Sequence, residues 1–88
     1  MNDSPMNDEE LRTTVIETLQ RVAPEVEAED LRGDVPLRQQ VDLDSLDWLG
    51  FLVGFHDRLG VDIPEADYPG LVSLDDVVAY LRERVPQT

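Results

Sequence analysis

The stretch from Asp44 to Gly60 constrains the fold more than any other part of the chain. Ser45 to Leu59 run without proline between an aspartate suited to accept free N–H groups at a helix start and a glycine able to close a helix end in the left-handed conformation. At about 100° per residue, Leu46, Trp48, Leu49, Leu52, Val53, Phe55 and Leu59 fill half of the helical wheel, and His56 falls in the same half. Asp47, Gly50, Gly54, Asp57 and Arg58 take the other half, with Phe51 on its edge. An apolar arc that wide predicts a helix packed against several neighbours at once.

The rest of the chain reads as further helices joined by loops. Leu11, Val15, Leu19 and Val22 recur at spacings of four, four and three, one face of a helix from Asp8 to Val22. Asn7 suits its N-cap, with Glu10 as reciprocal partner, and Pro24 ends the pattern. Residues 23–43 read as a long connection lying over the core, pinned by Leu31 and Leu37. Val61-Asp62-Ile63-Pro64 reads as an extended link, and Pro64 to Tyr68 as one helical turn broken by Pro69-Gly70. Ser73-Leu74-Asp75-Asp76 is a capping box that opens a last helix with Leu74, Val77, Leu81 and Val85 inward. No convincing alternating strand pattern appears. The expected fold is all-α, a small four-helix bundle of three main helices and one short one, with a long first loop. Residues 8–85 form the domain, 1–7 a flexible N-terminus and 86–88 a tail.

Composition narrows the function. Twenty acids face seven bases, all of them arginine, for a net charge of −13. Such a surface suits basic protein patches, disfavours nucleic acid and anionic membrane, and opposes self-association, so a monomer is expected. Hydrophobic residues make up 41% of the chain, too many for a disordered acidic tail. The apolar runs are too short to span a bilayer, and the polar, acidic N-terminus does not read as a signal peptide, so a cytoplasmic protein is expected. Without cysteine there is no disulfide, thiolate ligand or thiol nucleophile. With one histidine, no lysine and no glycine-rich phosphate loop, no enzymatic activity and no metal are expected. Asp42-Leu43-Asp44 begins like a calcium loop, but Asp47 stands where that loop requires glycine. His56 reads as a core-edge histidine with a local hydrogen bond.

One serine stands out. Ser45 follows the N-cap Asp44, and its hydroxyl lies near the free N–H groups of the helix start. A phosphodiester there would be stabilised by those donors and the positive end of the helix dipole. On position alone, Ser45 reads first as an ordinary polar residue at a helix start.

Asp44-Ser45-Leu46-Asp47 resembles the attachment motif of acyl carrier proteins. Leu59-Gly60-Val61-Asp62-Ile63-Pro64 is similar to the link after that family's second helix, and Leu74-Asp75-Asp76-Val77-Val78-Ala79-Tyr80-Leu81 resembles its last helix. The likeness covers roughly residues 8–85. It implies that Ser45 carries 4'-phosphopantetheine, transferred from coenzyme A by a phosphopantetheinyl transferase, with Asp44 and Leu46 flanking the attachment. The thiol that the chain lacks would then arrive on this arm, and acyl groups would be held on it as thioesters. Asp44 would cap the helix and help the transferase position the serine. The resemblance also implies acyl-loading and acyl-transferring partner enzymes that meet the second helix, and acyl chains that fold back between helices against Leu46, Leu49, Val53, Val77 and Leu81.

The sequence departs from the family pattern at Asp42, where glycine is frequent, and at Gly50, where typical members carry an exposed acid. Asp47, Gly50, Phe51 and Gly54 are expected to face partners, the bare glycine backbone admitting a bulky side chain beside Phe51. The alternative for Gly50 and Gly54 is close packing within the protein. Among carriers that serve enzymes of fatty-acid, polyketide or other specialised biosynthesis, these departures favour a dedicated secondary-metabolism or specialised lipid carrier over the central fatty-acid carrier. An aminoacyl or peptidyl carrier, or an unmodified acidic module that binds basic protein surfaces, are the alternatives.

Overall fold

A computed structural model describes residues 7–85. The expected flexible N-terminus and the tail at 86–88 lie outside the described residues, apart from Asn7, which caps the first helix. Three long helices, α1 (Asp8–Val22), α3 (Ser45–Leu59) and α4 (Leu74–Arg84), are joined by a short α2 (Leu37–Gln40) and two 3-10 segments, Ala28–Asp30 and Glu65–Gly70. Among the described residues the only β-type pairing is an isolated bridge between Pro36 and Ser73.

The helix bounds follow from their caps. Glu10 N–H donates to Asn7 Oδ1 at 2.8 Å and Asn7 N–H donates back to Glu10 Oε1 at 3.0 Å. Ser73 and Asp76 make the same reciprocal pair at the start of α4, each bond 3.1 Å. Such caps satisfy donors that a helix start leaves without partners, and each contributes about 1 kcal/mol. Gly60 closes α3 with φ 70°, in the left-handed region, and its N–H donates to the His56 carbonyl at 2.9 Å.

Helix α1 packs against both α3 and α4. Leu11, Val15 and Leu19 of α1, Phe51, Leu52 and Phe55 of α3, and Leu74, Val77 and Leu81 of α4 are fully buried. Each apolar side chain of this size contributes roughly 1.5–3 kcal/mol by leaving water. Trp48, Phe51 and Phe55 form an aromatic ladder, with ring centroids 5.2 and 5.1 Å apart. Arg58 of α3 reaches Glu17 of α1 at 2.7 Å, and Arg82 of α4 reaches Asp8 at 2.6 Å.

Two expectations change. The core face of α3 is turned by about a quarter of a turn from the wheel reading. Phe51, placed on the edge, is buried, whereas Leu46, Leu49 and Val53 are 78%, 42% and 53% exposed. The cause is the approach of α1 on the side of Gly54, where a Cβ would lie 2.9 Å from Thr18 Cγ2. A helix can come that close only where its neighbour has no side chain. His56 is exposed rather than at the core edge, its Nε2 3.7 Å from Asp62 Oδ1. The second change is the turn after Pro64, which runs through Pro69-Gly70 as a 3-10 segment instead of breaking there.

The long connection does lie over the core. Leu31 and Leu37 are buried, as are Val41 and Leu43. It is more ordered than its sequence suggests. The Leu37 N–H donates to the Val72 carbonyl at 2.8 Å and the Asp75 N–H to the Gly33 carbonyl at 3.0 Å, which ties it to the start of α4. Gln40 clamps it internally: its amide donates to the carbonyls of Arg32 and Val35, both at 2.8 Å, and its Oε1 accepts from the Arg32 N–H at 2.7 Å.

Candidate functional site at the start of helix α3

The end of the clamped loop delivers Asp44 and Ser45 to the surface. Asp44 is extended and caps α3, its Oδ1 accepting the Asp47 N–H at 2.8 Å while its carbonyl accepts the Trp48 N–H at 3.0 Å. Ser45 is the first helical residue and is exposed. The N–H groups of Ser45 and Leu46 lie in the first turn, where the helix itself offers no acceptor. An anionic ester on the serine oxygen therefore fits: it would be exposed, near two backbone donors, at the positive end of a four-turn helix. Buried Val41 and Leu43 anchor the loop, so Ser45 stands out from a fixed base.

Asp42 and Asp44 are exposed and Asp47 is half-buried, which surrounds the serine with carboxylates. Leu46 stands in solvent beside it and continues along α3 through Leu49 and Val53 as an apolar stripe. The spacing of three and then four residues puts these three on one face.

Residues 9–81 match the family model described as a phosphopantetheine attachment site. Over 79 residues the chain is 30% identical to the meromycolate extension acyl carrier protein of Mycobacterium tuberculosis, covering 90% of this chain and 68% of that protein. It is 32% identical over 73 residues to the acyl carrier protein of Campylobacter hominis, covering 83% and 86%. The chain belongs to the acyl carrier protein family. The group that goes with this carrier domain is 4'-phosphopantetheine. The solution structure of a candidate acyl carrier protein from Anaplasma phagocytophilum has the same fold, with a TM-score of 0.79 over 96% of this chain and 98% of that one at 23% identity.

The structure brings Asp44, Ser45, Leu46 and Asp47 together and separates the other expected site residues. Phe51 is 0% exposed, between Trp48 and Phe55, so it cannot stand beside a partner's side chain at the surface. Gly54 faces Thr18 of the carrier's own first helix. Gly50 remains exposed, with Val22 Cγ1 3.5 Å from where its Cβ would be. Leu46, Leu49 and Val53 do not line the interior; Val77 and Leu81 do. Sequence reasoning missed Arg38, whose guanidinium carbon lies 5.9 Å from the centre of the Trp48 ring. The available signal was Trp48 itself, a large aromatic one turn after the serine.

Away from the site, the Tyr80 hydroxyl donates to Asp67 Oδ2 at 2.6 Å, and Arg84 lies over the Tyr80 ring at 4.5 Å. Burial raises the Tyr80 phenol above its ordinary value of 10.0, and the Asp67 carboxylate acts in the same direction.

Proposed function

We propose that Ser45 is the residue of this carrier that bears 4'-phosphopantetheine, and that the protein holds acyl groups for enzymes that build or extend lipid-like chains. The observation that carries the reading is an exposed serine as the first residue of α3, capped by Asp44, inside the matched segment. When bound, the group supplies a thiol on which an acyl chain is held as a thioester. The chain's own residues do the rest. Asp44 fixes the helix start, the first-turn N–H groups of Ser45 and Leu46 would stabilise the anionic ester, and Asp42, Asp44 and Asp47 would offer charge to a basic transferase surface. Leu46, Leu49 and Val53 form the face that partner enzymes would cover. Ser45 is thus a substrate of the transferase and has no catalytic role, and the domain at residues 8–85 acts as a carrier.

The relatives named for meromycolate extension favour a chain-extending pathway of lipid type. The net charge of −13 supports a monomer. No helix among the described residues is long and apolar enough to cross a membrane.

Intact-mass measurement tests the reading. After incubation with coenzyme A, magnesium and a broad-specificity phosphopantetheinyl transferase, wild type gains the mass of one phosphopantetheine and Ser45→Ala does not. An unmodified wild type, or a gain that survives in Ser45→Ala, rejects the assignment. Ser45→Ala keeps the wild-type melting temperature, because the side chain is exposed.

A further inference from the structure

A groove of about 330 Å³ opens beside the attachment serine, lined by Arg38, Trp48, Tyr68, Pro69, Leu71 and Val72. Trp48 lies three residues after Ser45, so the two are neighbours on the helix surface. Arg38 approaches from α2, its Nη2 donating to the Leu43 carbonyl at 3.4 Å, two residues before the serine. Four arginines of this acidic chain, Arg12, Arg58, Arg82 and Arg84, sit within 4 Å of a carboxylate. Arg38, like Arg21 and Arg32, has no such partner among the described residues, and of these three it alone lines a groove beside the serine and lies over an aromatic ring. Its groove contains no acid, whereas the grooves along α1 and α4 and beside the first 3-10 segment each include at least two. The lining is largely apolar and includes the aromatic side chains of Trp48 and Tyr68. The interior beneath is filled by Phe51 and Phe55, both fully buried.

A pocket with aromatic walls and one guanidinium that has no carboxylate partner, in a molecule otherwise rich in carboxylates, is complementary to a planar anion. We propose that this groove gives the carrier a preference among its cargoes, for planar aromatic acyl groups bearing a carboxylate. The ring lies along Trp48 and Tyr68, and the carboxylate meets Arg38. The proposal rests on Ser45 as the attachment residue.

The test loads the carrier from four coenzyme A thioesters with a promiscuous transferase: 4-carboxybenzoyl, benzoyl, glutaryl and hexanoyl. Intact mass reports loading. Trp48 is the sole tryptophan, so its emission, with NOEs from its ring protons to the acyl group, reports docking. All four cargoes add mass to wild type. The 4-carboxybenzoyl group perturbs Trp48 most, benzoyl and glutaryl less, and hexanoyl least. Arg38→Gln, an exposed substitution whose fold is checked by melting temperature, lowers the docked-to-free ratio of the 4-carboxybenzoyl form about two- to fivefold, the range an exposed ion pair provides. It leaves the benzoyl form unchanged. Equal responses for all four cargoes, or no Trp48 response in fully loaded protein, overturn the preference while leaving the attachment intact. No mass gain in wild type overturns the attachment, and the preference with it.

Discussion

The two glycines on α3 should respond to alanine in opposite ways. Alanine is better than glycine in a helix interior by roughly 0.8–1 kcal/mol. At Gly50 that gain comes unopposed, because the nearest atom to the new Cβ, Val22 Cγ1, is at an ordinary contact distance of 3.5 Å. At Gly54 the new methyl would lie 2.9 Å from Thr18 Cγ2, and Thr18 cannot easily give way. It is 2% exposed, β-branched, and its hydroxyl donates to the Thr14 carbonyl at 2.7 Å, which fixes the rotamer. Overpacking of this kind costs about 1–3 kcal/mol, so Gly54→Ala comes out between neutral and about 2 kcal/mol destabilising. Thr18→Ser keeps the hydroxyl and deletes the offending methyl, at about 1 kcal/mol by itself. In the double variant the alanine methyl occupies the vacated space, so the two changes couple favourably by about 1–2 kcal/mol. Urea unfolding of wild type, both glycine variants, Thr18→Ser and the double variant measures the cycle. A Gly54→Ala protein as stabilised as Gly50→Ala, or additive free energies for the pair at 18 and 54, refutes the claim that α1 sets the facing of α3.

At the cap, Asp44→Ala lowers stability by about 1 kcal/mol, a fall in melting temperature of roughly 4–8 °C for a domain of this size, read by circular dichroism. Asp44→Asn keeps most of that stability, since asparagine caps comparably, but slows modification by the transferase, read as the rate of mass gain, because the charge offered to a basic surface is gone. Tyr80→Phe removes the bond to Asp67 and costs about 1 kcal/mol, reduced from a buried charged pair because both residues are partly solvated. Because the folded-state value of the phenol is raised, its contribution is fully present below the unfolded value of 10.0 and is lost as pH rises through the folded value. Denaturation scans from pH 8 to 11 should therefore show the wild-type advantage over Tyr80→Phe shrinking only in the alkaline part.

Helix ends were legible because short polar signals set them. Asn7 with Glu10, Asp44, Gly60, and Ser73 with Asp76 act on the backbone within a turn of themselves and depend little on the rest of the fold. The facing of α3 was not legible, since a helix apolar around half its circumference has no single preferred side. Gly54 decided it, and its meaning depends on Thr18, 36 positions earlier. The order of the long loop was hidden for a similar reason, because Gln40 is an unremarkable polar residue until its amide is seen to close on Arg32 and Val35. Asp44 and Ser45 were readable from their place at a helix start, whereas the Arg38–Trp48 contact needed the fold to bring α2 over α3.

The clamp made by Gln40 has a bearing on traffic through the molecule. A carrier must be visited in turn by an enzyme that installs its arm, one that fills it and one that empties it. On the proposed assignment each visitor would meet Ser45 at the end of a strap whose backbone is held by the Gln40 amide. On that reading the protein itself, and not the visitor, holds the approach to the serine in place.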